Sequence, residues 1–195
     1  MTDEPPALHA HAADNLRFIR DTMSRAGQFT AIPGWGGVVM GATALATAAV
    51  ASRAANRRQW LLWWLGEAAV AIAIAAVTMS WKARRQEVPL LAAPARRFAF
   101  AYVPPLAAGA VLTAAFVDGG LSARLPGCWL LLYGVAIATA GTLSVRVVQV
   151  MGLVFMALGA ASFAAPAHFG DAFMAAGFGG LHIVFGVIIA RSYGG

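Results

Sequence analysis

Charged residues are scarce in this sequence. Lys, Arg, Asp and Glu together make up 11% of the 195 residues, while 60% of the residues are hydrophobic. Soluble domains carry roughly 25% charged and 45–50% apolar residues. So few charges cannot give a soluble domain its hydrated surface, and no segment is large enough for a separate soluble core. The composition therefore predicts one membrane-embedded domain.

Cysteine and the residue patterns of enzymes are also missing. A single cysteine, Cys128, excludes an intrachain disulfide and a cysteine-based metal cluster. The sequence contains no H-E-x-x-H, no G-x-S-x-G, no P-loop and no G-x-G-x-x-G that opens a βαβ unit. We therefore expect no enzymatic activity, no cofactor and no metal site.

The distribution of positive charge disfavours nucleic acid as a partner. The net charge is +6, but the Lys and Arg residues occur in short clusters at the ends of apolar runs. Such clusters are typical of the boundaries of membrane spans. The lipid bilayer is therefore the expected partner.

A long apolar run covers residues 60–80, where Glu67 is the only ionisable group. As a helix this run would be about 31 Å long, close to the roughly 30 Å of hydrocarbon in a bilayer. Basic residues stop the run at both ends. Three tryptophans near one end are arranged like the aromatic belt at a membrane surface: Trp60, Trp63 and Trp64.

Five further segments repeat this pattern, so the fold class that we predict is all-α, a polytopic bundle of six transmembrane helices over residues 35–191. The predicted spans cover residues 35–52, 60–80, 98–117, 126–145, 147–165 and 172–190. The fourth and fifth spans come from one apolar run that is too long for a single crossing. Arg146, its only charged residue, marks the predicted turn, although neither Gly nor Pro is present there.

Orientation follows from the number of spans. Six spans place both termini on one side of the membrane, and that side carries ten of the 14 Lys and Arg residues. The positive-inside rule makes this side the cytoplasm. We therefore predict a multi-pass protein of the bacterial inner membrane with both termini cytoplasmic.

Residues 1–34 precede the first span, and we predict a mobile cytoplasmic tail followed by a short amphipathic interfacial helix. Apolar residues recur at helical spacing in this segment, and its polar side is basic: Leu16, Ile19, Met23 and Ala26 form the apolar side. Such a helix either lies in the headgroup plane or docks a partner protein. Both interpretations stay open.

Prolines and glycines inside the spans are expected to shape the helices. Pro104 and Pro105 remove two backbone donors and predict a helix kink or an unwound segment. Glycines spaced four or seven residues apart share a helix face and favour close packing. They are Gly37, Gly41, Gly134, Gly141, Gly152, Gly159, Gly179 and Gly186. These faces also leave open a homo-oligomer or a partner in a membrane complex.

Two ionisable residues lie deep in the spans. Glu67 is about 10 Å from the nearer end of its span, and His182 is near mid-membrane. Central charges cost on the order of 2.5–3.5 kcal/mol, so Glu67 needs a partner, water or a proton. Each residue is either a hydrogen-bonded structural residue or a proton or cation site, and haem ligation is a third interpretation for His182. We hypothesise that both face a polar pocket shared with Tyr102, Tyr133 or Thr139.

The last quarter of the chain carries a family resemblance. In MGLVFMALGAASFAAPAHFGDAFMAAGFGGLHIVFGVIIARSYG, two glycine-punctuated spans flank a short loop that opens with a proline. This pattern resembles one hairpin unit of the acid-resistance membrane proteins of the HdeD type, which are six-span proteins of the bacterial inner membrane. LRFIRDTMSRAGQFTAIPGWGG together with LHIVFGVIIARSYGG is also similar to a family of uncharacterised bacterial six-span proteins. Neither resemblance supplies catalytic residues.

Three functions are compatible with these features. We favour a non-enzymatic membrane protein with a structural, stress-related or regulatory role. The second hypothesis is a small proton- or cation-coupled transporter or channel that uses Glu67 and His182. The third is a cofactor-binding or accessory subunit of a larger membrane complex.

Overall fold

The fold is that of a computed structural model, which describes residues 14–16, 29–85, 87 and 92–193. These residues form helices and turns, and no strand occurs among them. The predicted all-α class is therefore confirmed. The predicted tail and most of the predicted amphipathic helix lie outside the described residues.

Six helices are long and apolar enough to cross a membrane, which confirms the predicted helical bundle and a multi-pass membrane protein. The first five are α1 (Gly34–Ala51), α2 (Arg57–Arg85), α3 (Ala93–Asp118), α4 (Leu125–Gly141) and α5 (Arg146–Ala164). The sixth, α6, joins Gly170–Met174, a π-helical segment Ala175–Leu181 and His182–Tyr193 without a break. Short 3₁₀ turns, Ser122–Arg124 and Ala167–Phe169, precede α4 and α6.

The turn between α4 and α5 covers residues 142–145, and Arg146 is the first residue of α5. Residues before α1 hold this turn. The Phe29 N–H donates a hydrogen bond to Leu143 O at 2.8 Å, and Ser144 Oγ donates to Phe29 O at 2.6 Å. These bonds from a distant segment add to local ones such as Ser144 N–H to Gly141 O at 3.1 Å, and the turn contains neither glycine nor proline.

The helices form an inner and an outer group. α4 packs closely along α5, and α1 packs closely along α6, while α2 packs mainly on α1 and α3 mainly on α4. Only 11% of the apolar window of α2 and 6% of that of α3 is buried inside the protein. In a membrane these two helices therefore present most of their surface to lipid.

Glycines lie where α4 meets α5. A Cβ atom added to Gly134 would lie 2.6 Å from Met156 N, and one added to Gly159 would lie 2.6 Å from Leu131 N. Gly141 and Gly152 similarly abut the backbone of the opposite helix. Real Cβ atoms do not approach so closely, so only glycine permits this helix spacing.

Glycines also allow close backbone contact between α1 and α6. A Cβ atom on Gly41 would lie 2.6 Å from Gly179 O, and one on Gly186 would lie 2.8 Å from Gly34 O. Gly37 has more room, because its nearest neighbour would be Gly186 Cα at 3.4 Å. The eight glycines singled out in the sequence thus all lie at these two helix contacts.

The three tryptophans of α2 do not form one aromatic belt. Trp60 and Trp64 are buried inside the bundle, and Trp63 is exposed. Trp60 stacks on Trp129 of α4 at a centroid distance of 5.6 Å, and Trp64 packs against Phe178 of α6. The interfacial interpretation therefore fits only Trp63, and its two neighbours are core residues.

Candidate functional site

A cavity of about 350 Å³ lies inside the bundle, in the half that contains the start of α1 and the end of α6. All six helices contribute to its wall. Most of the lining is apolar, including Met79, Phe98, Ile137 and Met151. Small-molecule sites in proteins occupy roughly 300–1,000 Å³, so the cavity falls in the lower part of that range.

The segment before α1 closes the cavity toward the membrane surface. Phe29, Ile32 and Pro33 line this end, and Phe29 is buried against Phe98 at a ring-centroid distance of 5.0 Å. The hydrogen bonds of Phe29 to the α4–α5 turn fix the position of this segment. The cavity is therefore walled on the side of the two termini.

Between α2 and α3 the described residues leave the cavity wall incomplete. α2 and α3 do not pack along each other, and both contribute lining residues at the edge of the gap. Val103 of α3 lines the cavity and is nevertheless 55% exposed. As far as the described residues show, the cavity is therefore open sideways between α2 and α3, on a side that would face lipid in a membrane.

Three polar side chains line the cavity: Tyr102 of α3, Tyr133 of α4 and His182 of α6. The Tyr133 hydroxyl oxygen lies 2.6 Å from His182 Nε2, which is hydrogen-bond distance. Either the hydroxyl donates to an unprotonated Nε2, or a protonated Nε2 donates to the hydroxyl. This pair is the most polar group in the cavity lining.

Aromatic rings hold the pair in place. Phe155 meets Tyr133 edge-on at 4.9 Å and His182 edge-on at 5.4 Å, while Phe178 stacks on His182 at 6.1 Å. Tyr102 packs edge-on against Tyr133 at 6.3 Å. Rings on several sides leave the imidazole little rotational freedom, so its orientation is set by packing as well as by the hydrogen bond.

His182 follows directly after the π-helical segment of α6. π-helical turns are rare and occur frequently at functional sites. His182 is 6% exposed, and its Nδ1 is buried without a hydrogen-bond partner among the described residues. One imidazole nitrogen is therefore bonded, and the other is buried and incompletely satisfied.

Glu67 lies at a different place, in the contact between α2 and α1. Its Oε1 is 2.8 Å from Thr43 Oγ1, and its Oε2 is 3.1 Å from Thr47 Oγ1. The residue is 9% exposed and is not among the described residues that line the cavity. The structure thus groups His182 with Tyr133 and Tyr102, and it groups Glu67 with two threonines.

The number of protons available for hydrogen bonds among Glu67, Thr43 and Thr47 can also be counted. Thr43 Oγ1 also lies 2.9 Å from Met40 O, but a hydroxyl carries only one proton. If Thr43 donates to Met40 O, a proton on Glu67 Oε1 completes the network by bonding to Thr43 Oγ1, and Thr47 donates to Oε2. The cluster can therefore satisfy a neutral glutamic acid fully.

Pro104 and Pro105 lie within α3, which continues through both of them as a helix. An unwound segment is therefore not observed here. Pro105 leaves the Ala101 carbonyl without its usual N–H donor, and Thr139 Oγ1 of α4 lies 3.1 Å from that oxygen. Thr139 Oγ1 also lies 2.7 Å from Val135 O, so its single proton is shared between, or alternates between, these two carbonyls, and the residue does not line the cavity.

Sequence reasoning missed the role of Lys82. Its side chain is buried, and Nζ donates to Ile32 O at 2.9 Å and to Tyr193 O at 3.2 Å. These bonds join the end of α2 to the start of α1 and to the end of α6. They also place the two termini of the bundle on one side. The sequence shows only a basic residue at the end of a span.

A second interhelical bond lies near the opposite end of the bundle. Trp60 Nε1 donates to Asp171 Oδ1 at 2.6 Å, which ties the start of α2 to the start of α6. The two residues are far apart in sequence, so no local pattern indicates this bond. Like the Lys82 bonds, it is a structural tie and not part of the cavity.

No group of three or more His, Cys, Asp or Glu residues that could hold a metal ion occurs in the part of the chain that the structure describes. Cys128 is a free, buried thiol in α4. The chemistry that the cavity offers is therefore hydrogen bonding by Tyr102, Tyr133 and His182 within apolar walls.

Comparison with known proteins identifies no relative: no family model, no curated protein and no solved structure matches the chain.

Proposed function

We propose that this protein is a non-enzymatic protein of the bacterial inner membrane that binds a lipophilic molecule in its laterally open cavity. The ligand enters from the bilayer between α2 and α3. Its apolar part fills the cavity, and an oxygen-bearing group reaches Tyr133 and His182. The positive-charge distribution and the resemblance to bacterial six-span families support the location and the cytoplasmic termini.

The single observation that carries this proposal is the Tyr133–His182 pair, which lies at the wall of a cavity whose other described lining residues are apolar except for Tyr102. Ligand pockets typically combine apolar walls with a few placed polar groups that orient the ligand. A purely structural bundle has no need of a polar pair facing an open space. A ligand with a hydrogen-bonding oxygen gives the pair a partner.

The alternative as a proton- or cation-coupled transporter has less support. A transport site that used both ionisable residues would need Glu67 and His182 along one path. Instead, Glu67 bonds to Thr43 and Thr47, and His182 bonds to Tyr133. Under our proposal, Glu67 joins α1 to α2 and takes no part in ligand binding.

The test is to fill the cavity from its open side. Ala99 lines the cavity, whereas Ala107 lies two turns further along α3, is exposed and does not line it. We expect native mass spectrometry of wild-type protein in mild detergent to show a bound lipophilic molecule. Ala99→Phe should reduce its occupancy at least tenfold, and Ala107→Phe should leave it unchanged. Equal occupancy in all three proteins would refute the proposal.

A further inference from the structure

The lateral opening between α2 and α3 is flanked by basic side chains at one end. α2 ends with Arg84 and Arg85, and α3 carries Arg96 and Arg97 in its first turns. All four are exposed. Because the cavity-lining residues Met79 and Ala99 belong to the same helix ends, this positive group lies at the membrane-surface end of the gap.

As far as the described residues extend, these exposed arginines are available to an outside anion. Arg84, Arg96 and Arg97 form no ion pair with a carboxylate in the part of the chain that the structure describes, and the Arg85 guanidinium stacks over the Trp81 ring at 3.7 Å. Lys82, one turn earlier, is turned inward and bonds Ile32 O and Tyr193 O. The inward lysine is thus structural, and the arginines face the headgroup region.

Depth along α3 relates the arginines to Tyr102, which packs against Tyr133 of the polar pair. Tyr102 lies five residues after Arg97, which corresponds to about 7.5 Å along the helix axis. In a diacyl lipid the ester oxygens lie deeper in the membrane than the phosphate, by a distance comparable to that between Arg97 and Tyr102. The acyl chains lie deeper still. A lipid seated in the gap would therefore meet arginines, hydroxyl and imidazole groups, and apolar walls in the same order as its own phosphate, esters and chain.

We propose, on the basis of the proposed function, that the ligand is an anionic membrane phospholipid. Its phosphate binds the arginine group of α2 and α3, and one acyl chain enters the cavity past Tyr102. Guanidinium groups bind the phosphate of either lipid class with charge-assisted hydrogen bonds, but the arginines repel the cationic choline of a zwitterionic headgroup. Charge complementarity therefore favours an anionic headgroup. Basic pockets between transmembrane helices bind anionic headgroups in the same way.

The experiment offers the purified full-length protein an equimolar mixture of phosphatidylglycerol and phosphatidylcholine with identical acyl chains. Native mass spectrometry then gives the ratio of the two bound lipids. We expect the wild type to favour phosphatidylglycerol. The double variant Arg96→Gln/Arg97→Gln should lower that preference roughly five- to thirtyfold, from a contribution of about 1 kcal/mol for each basic residue near a membrane surface. The double variant Arg57→Gln/Arg58→Gln at the other end of α2 is the matched control and should keep it.

Cavity filling separates this inference from the proposed function. Ala99→Phe should lower the binding of both lipids without changing their ratio. Equal binding of the two lipids by the wild type, or a preference that survives Arg96→Gln/Arg97→Gln, would overturn the headgroup assignment while cavity binding stands. Binding of both lipids that is insensitive to Ala99→Phe would overturn the cavity site itself.

Discussion

The Tyr133 hydroxyl oxygen lies 2.6 Å from His182 Nε2, although the two residues are 49 positions apart in the chain. The hydrogen bond joins α4 to α6 across the face where Phe155 and Phe178 pack. It therefore contributes to helix association and also places a polar group in the cavity wall. Both roles can be measured separately.

Removal of the Tyr133 hydroxyl tests the structural role. Tyr133→Phe leaves the buried His182 without its hydrogen bond, and an unsatisfied buried group costs about 1–3 kcal/mol. We expect the free energy of unfolding, measured by denaturant titration in detergent, to fall by about that amount. Tyr193→Phe is the control, because Tyr193 is 39% exposed at the end of α6 and its hydroxyl does not belong to the Tyr133–His182 pair. An equal loss in both variants would argue against a special role for Tyr133.

Glycine contacts should be intolerant of a single methyl group. Gly134→Ala would place a Cβ 2.6 Å from Met156 N, so α4 and α5 must separate. We expect a loss of about 1–3 kcal/mol in unfolding free energy, as for other overpacked sites. Gly66→Ala on α2 is the matched control, since nothing lies within 4 Å of its added Cβ. Helix propensity alone should make that control neutral or slightly stabilising.

The hydrogen bonds of Lys82 should stabilise the position of the end of α6. Lys82→Met removes the donor to Ile32 O and Tyr193 O, and hydrogen bonds to charged groups contribute about 1.5–3 kcal/mol. We expect lower stability and faster proteolysis at the carboxyl terminus. The exposed Arg84 lies on the same helix end, so Arg84→Met should leave the unfolding free energy and the rate of proteolysis at their wild-type values. Unchanged proteolysis in Lys82→Met would show that the Lys82 hydrogen bonds do not hold the end of α6 in place.

The Glu67 cluster should tolerate an amide. Glu67→Gln can donate to Thr43 Oγ1 and accept from Thr47, so we expect a change in unfolding free energy below about 0.5 kcal/mol. The double variant Thr43→Val/Thr47→Val, in contrast, leaves the Glu67 carboxyl group without its hydrogen-bond partners. It should lower the unfolding free energy by about 1–3 kcal/mol. The same threonine change should cost much less in a Glu67→Leu background. A cost that persists there would show that the threonines act independently of Glu67.

Ion transport by Glu67 is tested directly in liposomes. Because Glu67 bonds to Thr43 and Thr47 and does not line the cavity, we expect proton and cation flux in proteoliposomes between pH 5 and 8 to equal that of empty liposomes. Flux in the wild type that disappears in Glu67→Gln would instead make Glu67 a transport site.

Some of these features could be predicted from the sequence, because they depend on local properties of the chain. Hydropathy over about twenty residues predicts each span, and the helix ends differ from the predicted bounds by a few residues. The turn at Arg146 follows from the length of an apolar run. Glycine spacing of four and seven residues places glycines on one helix face, which is where the structure has them.

The partners of the deep polar residues could not be predicted in this way. Glu67 bonds to threonines 20 and 24 positions earlier in the chain, and Lys82 bonds to carbonyls 50 and 111 positions away. Burial of Trp60 and Trp64 likewise depends on Trp129 and Phe178. No local pattern contains these relationships.

The sequence by itself determined that this protein crosses a membrane six times as helices, because the bilayer imposes length, apolarity and internal backbone hydrogen bonding on each segment separately. Only the tertiary structure decided which helix faces meet, and with them the cavity, the Tyr133–His182 pair and the gap between α2 and α3. The physical reason is that lipid is as apolar as the helices, so hydrophobicity does not select helix partners. Close packing and interhelical hydrogen bonds between distant residues make that selection.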